Sequence, residues 1–259
     1  MHRARKRFGQ NFLVNPTIIR SLVLAIAPKS TDKILEIGPG LGALTKPLLS
    51  KVDHLEVVEL DRDLIEQLHQ LNTANKTVVV HAQDALKFDF TSPDQPRRIV
   101  GNLPYNISTP LIFHLLDQLP SITDMHFMLQ KEVVDRISAH RGNRNFGRLS
   151  AMVQSKCIVQ PLLNVPAESF SPAPKVMSTF IRLQPHPQPL VPAELESDYK
   201  NIVQACFSQP RKTLSNNLKK ILSADQIKAI GLDPGIRPQD LCINDLITLA
   251  KACPPSNKA

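Results

Sequence analysis

Short β-rich runs alternate with segments of helical spacing from residue 33 to residue 139. Residues 33–37, 54–60, 77–81, 98–100 and 124–129 read as strands, and residues 43–50, 63–71, 110–119 and 131–139 read as helices. Such alternation needs helical crossovers and therefore a doubly wound, mainly parallel sheet. Thr77-Val78-Val79-Val80-His81 is so β-branched that it reads as a central strand. The pattern then changes. Residues 157–163 and 176–183 read as two strands with no long helix between them, an antiparallel hairpin at the sheet edge. Gln184-Pro185-His186-Pro187-Gln188-Pro189 reads as an extended linker. Beyond it only helices are expected, over about residues 194–207, 213–222, 224–230 and 239–251. The expected division is therefore an α/β domain over 1–186 and a small all-α domain over 187–259. No internal repeat is visible.

Composition narrows the class of protein. A hydrophobic fraction of 42% and a charged fraction of 21% are ordinary for a globular chain and argue against disorder. No stretch approaches the ~20 apolar residues of a membrane span, and the basic start is interrupted by Gly9, Gln10, Asn11 and Asn15-Pro16, unlike a secretory leader. The expected location is the cytoplasm, with no membrane partner. Cys157, Cys206, Cys242 and Cys253 form no CxxC pair, so neither a zinc site nor a disulfide framework is expected. No metal is expected.

Charge is unevenly placed. Residues 1–50 carry eight Lys and Arg against two acids, a net of +6. Residues 51–100 are net −3, and residues 201–259 are net +4. Solvated surface explains many such charges. Basic ends around an acidic middle also fit a phosphate-tracking surface beside a pocket for something else.

The acidic middle follows a glycine loop. Glu36-Ile37-Gly38-Pro39-Gly40-Leu41-Gly42 joins the first strand to the first helix, where Gly38 and Gly40 let the backbone turn and approach a ligand. The third glycine comes one place too early for the dinucleotide fingerprint, and a plain tight turn would use the same residues. Glu59 closes the second strand about twenty residues on, where a carboxylate can accept both ribose hydroxyls. Asp84 follows the third strand and can accept from an adenine amine. Either acid alone reads as surface charge. Together they outline an adenosine site without a pyrophosphate, which favours S-adenosylmethionine over a nicotinamide dinucleotide.

Asn102-Leu103-Pro104-Tyr105 follows the fourth strand of this series. Methylating a purine amine is difficult because the nitrogen lone pair is delocalised into the ring. Acceptors that hold both N–H groups favour a pyramidal nitrogen, and the Asn102 side-chain oxygen with the Leu103 backbone carbonyl can serve. Pro104 fixes the backbone that aims that carbonyl. Tyr105, one of 2 tyrosines in the chain, offers a face for an extruded base. The catalytic contributions are then orientation and differential binding of a developing ammonium.

These motifs resemble the KsgA-type rRNA adenine N6,N6-dimethyltransferase family, close kin of the Erm methyltransferases. The resemblance runs through Arg5-Lys6-Arg7-Phe8-Gly9-Gln10-Asn11-Phe12-Leu13, the glycine loop, Glu59-Leu60-Asp61 and Gly101-Asn102-Leu103-Pro104-Tyr105-Asn106-Ile107-Ser108. It continues in Gln130-Lys131-Glu132-Val133, Phe170-Ser171-Pro172-Ala173-Pro174-Lys175-Val176 and Phe207-Ser208-Gln209-Pro210-Arg211-Lys212-Thr213-Leu214. It implies a Rossmann-like class I methyltransferase sheet with an antiparallel edge hairpin, plus an all-helical RNA-binding domain. It further implies that Asn11 and Leu13 close over S-adenosylmethionine, and that Gly38 lies against its methionine part, Glu59 on the ribose and Asp84 on the adenine. Asn102 would touch both cofactor and target amine, and Phe170 would stack on the target adenine opposite Tyr105. Three positions depart from the family pattern: Gln83 stands where Gly is common, Phe146 where Tyr is commoner, and Met177 where an acid is expected. Gln83 bears on the backbone shape at the adenine site.

Three basic clusters complete the reading: Arg3, Arg5, Lys6 and Arg7; Arg141, Arg144 and Arg148; and Arg211, Lys212, Lys219 and Lys220. Each could be a solvated face, and each lies in a substrate-facing region by resemblance. The implied activity is dimethylation of two adjacent adenosines in the 3′-terminal hairpin of small-subunit 16S rRNA, within a pre-30S particle, by a monomeric enzyme. The rivals are an Erm-like 23S rRNA methyltransferase and a non-catalytic rRNA-binding assembly factor. A DNA adenine methyltransferase fits less well, since those usually carry Asn/Asp-Pro-Pro-Tyr.

Overall fold

The alternation seen in the sequence builds a seven-stranded sheet. The structure is a computed structural model and describes residues 10–92 and 95–253. In chain order the strands are β1 (Phe12–Leu13), β2 (Ile34–Ile37), β3 (His54–Glu59), β4 (Thr77–Ala82), β5 (Arg97–Asn102), β6 (Ile122–Gln130), β7 (Cys157–Val165), β8 (Phe170–Ser171) and β9 (Ser178–Pro185). The helices are α1 (Pro16–Ile26), α2 (Thr45–Leu49), α3 (Arg62–His69), α4 (Ser108–Leu116), α5 (Lys131–Ile137), α6 (Arg148–Gln154), α7 (Glu196–Cys206), α8 (Leu214–Leu218), α9 (Ala224–Ala229) and α10 (Ile243–Lys251).

The sheet order is β4-β3-β2-β5-β6-β9-β7. The pairs from β4 across to β6 are parallel, and β9 runs antiparallel to β6. The chain leaves β2 towards β3 and β4, then returns to β5 on the other side. That reversal of direction opens a crevice at the carboxyl ends of β2 and β5. The four residues of β2 are all buried, as a strand covered on both faces requires. A separate two-stranded ribbon pairs β1 antiparallel to β8, with Leu13 opposite Phe170.

Residues 77–81 do not form a central strand. β4 is the last strand on its side of the sheet, and Val79 is 44% exposed. β-branched side chains fit any pleated strand, and their number does not report how many neighbours that strand has. Two helices escaped the sequence reading. Asn15-Pro16 reads there as a break, yet it starts α1: the Asn15 side chain accepts from Thr17 N and Ile18 N, and Pro16 sits where its missing N–H costs nothing. α6 was legible only as part of a basic cluster, although Leu149, Ala151, Met152 and Val153 are buried.

The chain divides into two compact units that interleave in sequence. One runs to Val134 and resumes over Gln160–Pro185; the other joins Asp135–Val159 to the stretch from His186 on. In the second unit α7 buries Tyr199, Ile202, Val203 and Cys206. Its Tyr199 hydroxyl donates to the Ala151 carbonyl of α6 at 3.0 Å. Phe146, one of the departures from the family pattern, is buried there and meets Phe207 edge-on at 5.8 Å. Residues 238–240 form a 3₁₀ turn, so the last helix starts at Ile243 rather than at 239.

In the first unit the sheet is anchored at its amino edge by a buried ion cluster. Asp124 on β6 is 1% exposed and accepts from Arg98 on β5 at 2.9 and 3.1 Å and from Arg182 on β9 at 3.0 Å. Burial works against this carboxylate, but its Arg98 hydrogen bonds prevail and hold it below the usual range.

Candidate active site

The turns after β2, β3, β4 and β5 line one cavity of about 280 Å³, together with Gln10 and Asn11 just before β1 and Phe12 at its start. The loop after β2 begins with Gly38 and Gly40, both at positive φ. A Cβ on Gly40 would also come within 3.1 Å of the Phe12 ring, so the loop and the N-terminal segment fit together only without a side chain there.

Gly40 N donates to Glu59 Oε2 at 3.3 Å, and Leu60 N and Asp61 N both donate to Oε1 at 2.9 Å. Three backbone donors thus hold this carboxylate in place at the end of β3. Burial raises its pKa against their pull. Glu36 lies deeper on β2, 1% exposed, and accepts from Thr45 Oγ1 at 2.7 Å. Burial pushes its pKa up to about 8, with the Glu59 charge adding to the effect and Thr45 opposing it.

Asp84 follows β4, and its Oδ1 accepts from Leu86 N at 2.9 Å. The chain just after it is buttressed by rings. Phe88 lies 4.9 Å from His81 and 4.8 Å from Phe90, and His114 Nε2 donates to the Phe88 carbonyl at 2.8 Å. Gln83 is exposed and lines the cavity beside Asp84.

Asn102 ends β5. It can sit there because residue 101 is glycine, since a Cβ at that position would lie 2.6 Å from the Ile37 carbonyl oxygen. Asn102 Nδ2 donates to the Asn11 backbone carbonyl at 2.9 Å, which fixes the amide and turns Oδ1 into its free acceptor end. Leu103 buries its side chain and donates its N–H to Met128 O at 3.3 Å. The Tyr105 hydroxyl lies 2.7 Å from Ser178 Oγ on β9, and burial raises its pKa.

Of the residues singled out in the sequence, Asn11, Gly38, Gly40, Glu59, Asp84, Asn102, Leu103 and Tyr105 all line this cavity. Leu13 and Phe170 are not among its lining residues. They are 5% and 4% exposed, partners in the β1–β8 ribbon, and packed in the same apolar core. The sequence reading missed Gln10 and Phe12. Gln10 Nε2 donates to Asp61 Oδ2 at 3.2 Å, so Gln10-Asn11-Phe12 ties the ends of β3 and β5 together. The signal was present in the long N-terminal motif, of which only Asn11 and Leu13 were assigned to the cofactor. Ser178 was missed because it stands just past the Phe170–Val176 motif and its partner Tyr105 is 73 residues away.

Arg3, Arg5, Lys6 and Arg7 lie outside the described residues. Arg141, Arg144, Arg148, Arg211, Lys212, Lys219 and Lys220 are exposed and belong to the second unit. Among the described residues no group of His, Cys, Asp and Glu is placed to hold a metal ion, and no helix is long and apolar enough to cross a membrane.

The family model described as ribosomal RNA adenine dimethylase matches residues 1–252. The chain belongs to that family. It is an rRNA adenine N6,N6-dimethyltransferase with S-adenosylmethionine as methyl donor. Within the family, the ribosomal RNA small subunit methyltransferase A of Alcanivorax borkumensis is 50% identical over 257 residues, covering 98% of this chain and 91% of the relative. The protein of the same name from Chromohalobacter salexigens is 51% identical over 256 residues, covering 96% and 91%. Among solved structures, a dimethyladenosine transferase from Plasmodium falciparum is similar with a TM-score of 0.78 at 28% identity, over 92% of this chain and 95% of that one. The 23S rRNA methyltransferase ErmE shares the fold with a TM-score of 0.74 at 22% identity, over 94% and 99%. The expected Rossmann-like methyltransferase architecture is thus the one this dimethylase has.

Proposed function

We propose that this dimethylase modifies two adjacent adenosines in the 3′-terminal hairpin of 16S rRNA, in a pre-30S particle, acting as a cytoplasmic monomer. The carrying observation is the Asn102 amide, held by the Asn11 carbonyl with its oxygen as the acceptor end, in a cavity that also holds Glu59 and Asp84. The small-subunit reading is supported by relatives of that name at about half identity along nearly the whole chain.

The groups in the cavity fit S-adenosylmethionine. Glu59, steadied by three backbone N–H groups, keeps lone pairs for a vicinal diol. Asp84 is placed for the adenine amine, Gly38 and Gly40 give room for the methionine part, and Asn11 and Leu13 belong to the segment that closes over it. When bound, the cofactor supplies a methyl group activated on a sulfonium sulfur. The protein's own contribution is made at the target nitrogen. Asn102 Oδ1 and the Leu103 carbonyl accept the two N6 hydrogens and favour the pyramidal nitrogen whose lone pair is free to react. Their dipoles then stabilise the ammonium that forms before its proton leaves. Tyr105 offers its face to the extruded base. Phe170, buried in this structure, would have to turn out of the core to stack opposite it. The domain expected over 187–259, with the basic residues around Arg141 and Arg211, holds the RNA backbone.

Incubating the enzyme with labelled S-adenosylmethionine and undermethylated small and large subunits, then mapping the label, tests this reading. The expected label is on two neighbouring adenosines of the small-subunit hairpin. Label confined to 23S rRNA would overturn it.

A further inference from the structure

We propose that Ser178 is a positioning residue for the methyl transfer: its buried hydroxyl latches Tyr105 and so fixes the plane on which the target adenine stacks. The proposal rests on the stacking reading of Tyr105 given above.

The latch is built from the sheet. Ser178 is the first residue of β9, fully buried, and is paired in register with Gln130 at the end of β6. Lys131 N donates to the Met177 carbonyl at 2.9 Å and holds the backbone on the other side of it. The Ser178 hydroxyl is therefore presented from a fixed main chain. Tyr105 comes from the loop after β5, 73 residues away in sequence, and its hydroxyl reaches Ser178 Oγ at 2.7 Å.

A tyrosine side chain has two torsions. Anchoring the hydroxyl fixes the first torsion and with it the ring axis; because a phenolic O–H and its lone pairs prefer the ring plane, the direction of the bond to Ser178 also favours one orientation of the face about the second torsion. The bond also settles what Tyr105 does chemically. Its hydroxyl is paired with Ser178 and burial raises its pKa, so what the ring presents is its face. A free ring would have to be ordered anew each time a base is extruded, which reduces the share of bound RNA whose adenine is seated. Overall RNA affinity comes mainly from phosphate contacts and would not change. The latch therefore acts on kcat and not on KM.

The test is a double-mutant cycle in the full-length enzyme with undermethylated small subunits. Ser178→Ala and Tyr105→Phe break the same bond from opposite sides, and the second keeps the ring. Each is expected to lower kcat about 3- to 10-fold, the worth of one net hydrogen bond, with both KM values within about twofold. The double variant should be no slower than the slower single one. Unchanged kcat in either single variant, a change confined to KM, or multiplying losses in the double variant would overturn the latch. Thermal unfolding shows whether Ser178→Ala folds; where it does not, Tyr105→Phe alone decides by the same criteria. Tyr105→Ala separates the latch from the reading beneath it. Full activity there would remove the stacking role itself. Lost activity there, with wild-type rates in the other variants, would remove only the latch.

Discussion

β5 begins and ends in polar side chains that are used in opposite ways. At its start, Arg98 donates to Asp124 at 2.9 and 3.1 Å, to Asp32 at 2.7 Å and to the Ile26 carbonyl at 2.7 Å. Arg182 adds a second cation to Asp124. A buried charge is tolerable only when it is surrounded in this way. At the other end, Asn102 is neutral, gives one hydrogen bond to the Asn11 carbonyl and lines the cavity. The saturated end has nothing left to offer a ligand, and the open end contributes little to holding the sheet together. Within six residues, the strand separates stability from chemistry by how completely its polar groups are satisfied.

Three substitutions would break or sharpen this contrast. Arg98→Ala leaves Asp124 and Asp32 without their main partner and is expected to lower stability by about 3–5 kcal/mol, read from denaturant unfolding. Cofactor affinity of the folded protein, measured by calorimetry, should stay within about twofold. Asn102→Ala should do the reverse, slowing transfer about 10²- to 10³-fold while the unfolding midpoint barely moves. A stable protein after the first change, or near-normal transfer after the second, would dissolve the division. The smallest effect concerns Glu36, whose neighbour in register is Val100 in the middle of β5. Its folded pKa is about 8 against an ordinary 4.5, so it stabilises in its protonated form. That contribution is complete below about pH 4.5 and is lost as pH climbs through about 8. Glu36→Gln, neutral throughout, should match the wild type best near pH 4.5 and gain on it steadily towards pH 8 in thermal unfolding. A stability difference that stays flat across this range would place the titration elsewhere.

The sheet and its ligand edge were legible because local patterns carry them. Strand and helix periods alternate along the chain, and the residues that matter most follow strands at once, as Gly38, Glu59, Asp84 and Asn102 do. What was not legible depends on partners distant in sequence. The β-branched run at 77–81 announces a strand, but its place at the edge follows from the order in which the other strands assemble. Ser178 looks like any serine at a strand start until Tyr105 arrives beside it. The proline-dense stretch marks where helices take over, but not that residues 135–159 join them in one compact unit. Phe170 sits in a motif that points to the substrate, while its side chain lies in the core beside the ribbon partner Leu13.

The hydrogen bond from Asn102 to residue 11 ends on a main-chain carbonyl. Every amino acid offers that oxygen, so the contact is indifferent to which side chain stands at position 11. It is sensitive instead to chain length. One residue inserted between Asn11 and the β1–β8 ribbon would carry the carbonyl about 3.4 Å along the chain, beyond the reach of Asn102. This contact should therefore survive replacements at position 11 far better than insertions or deletions before the ribbon.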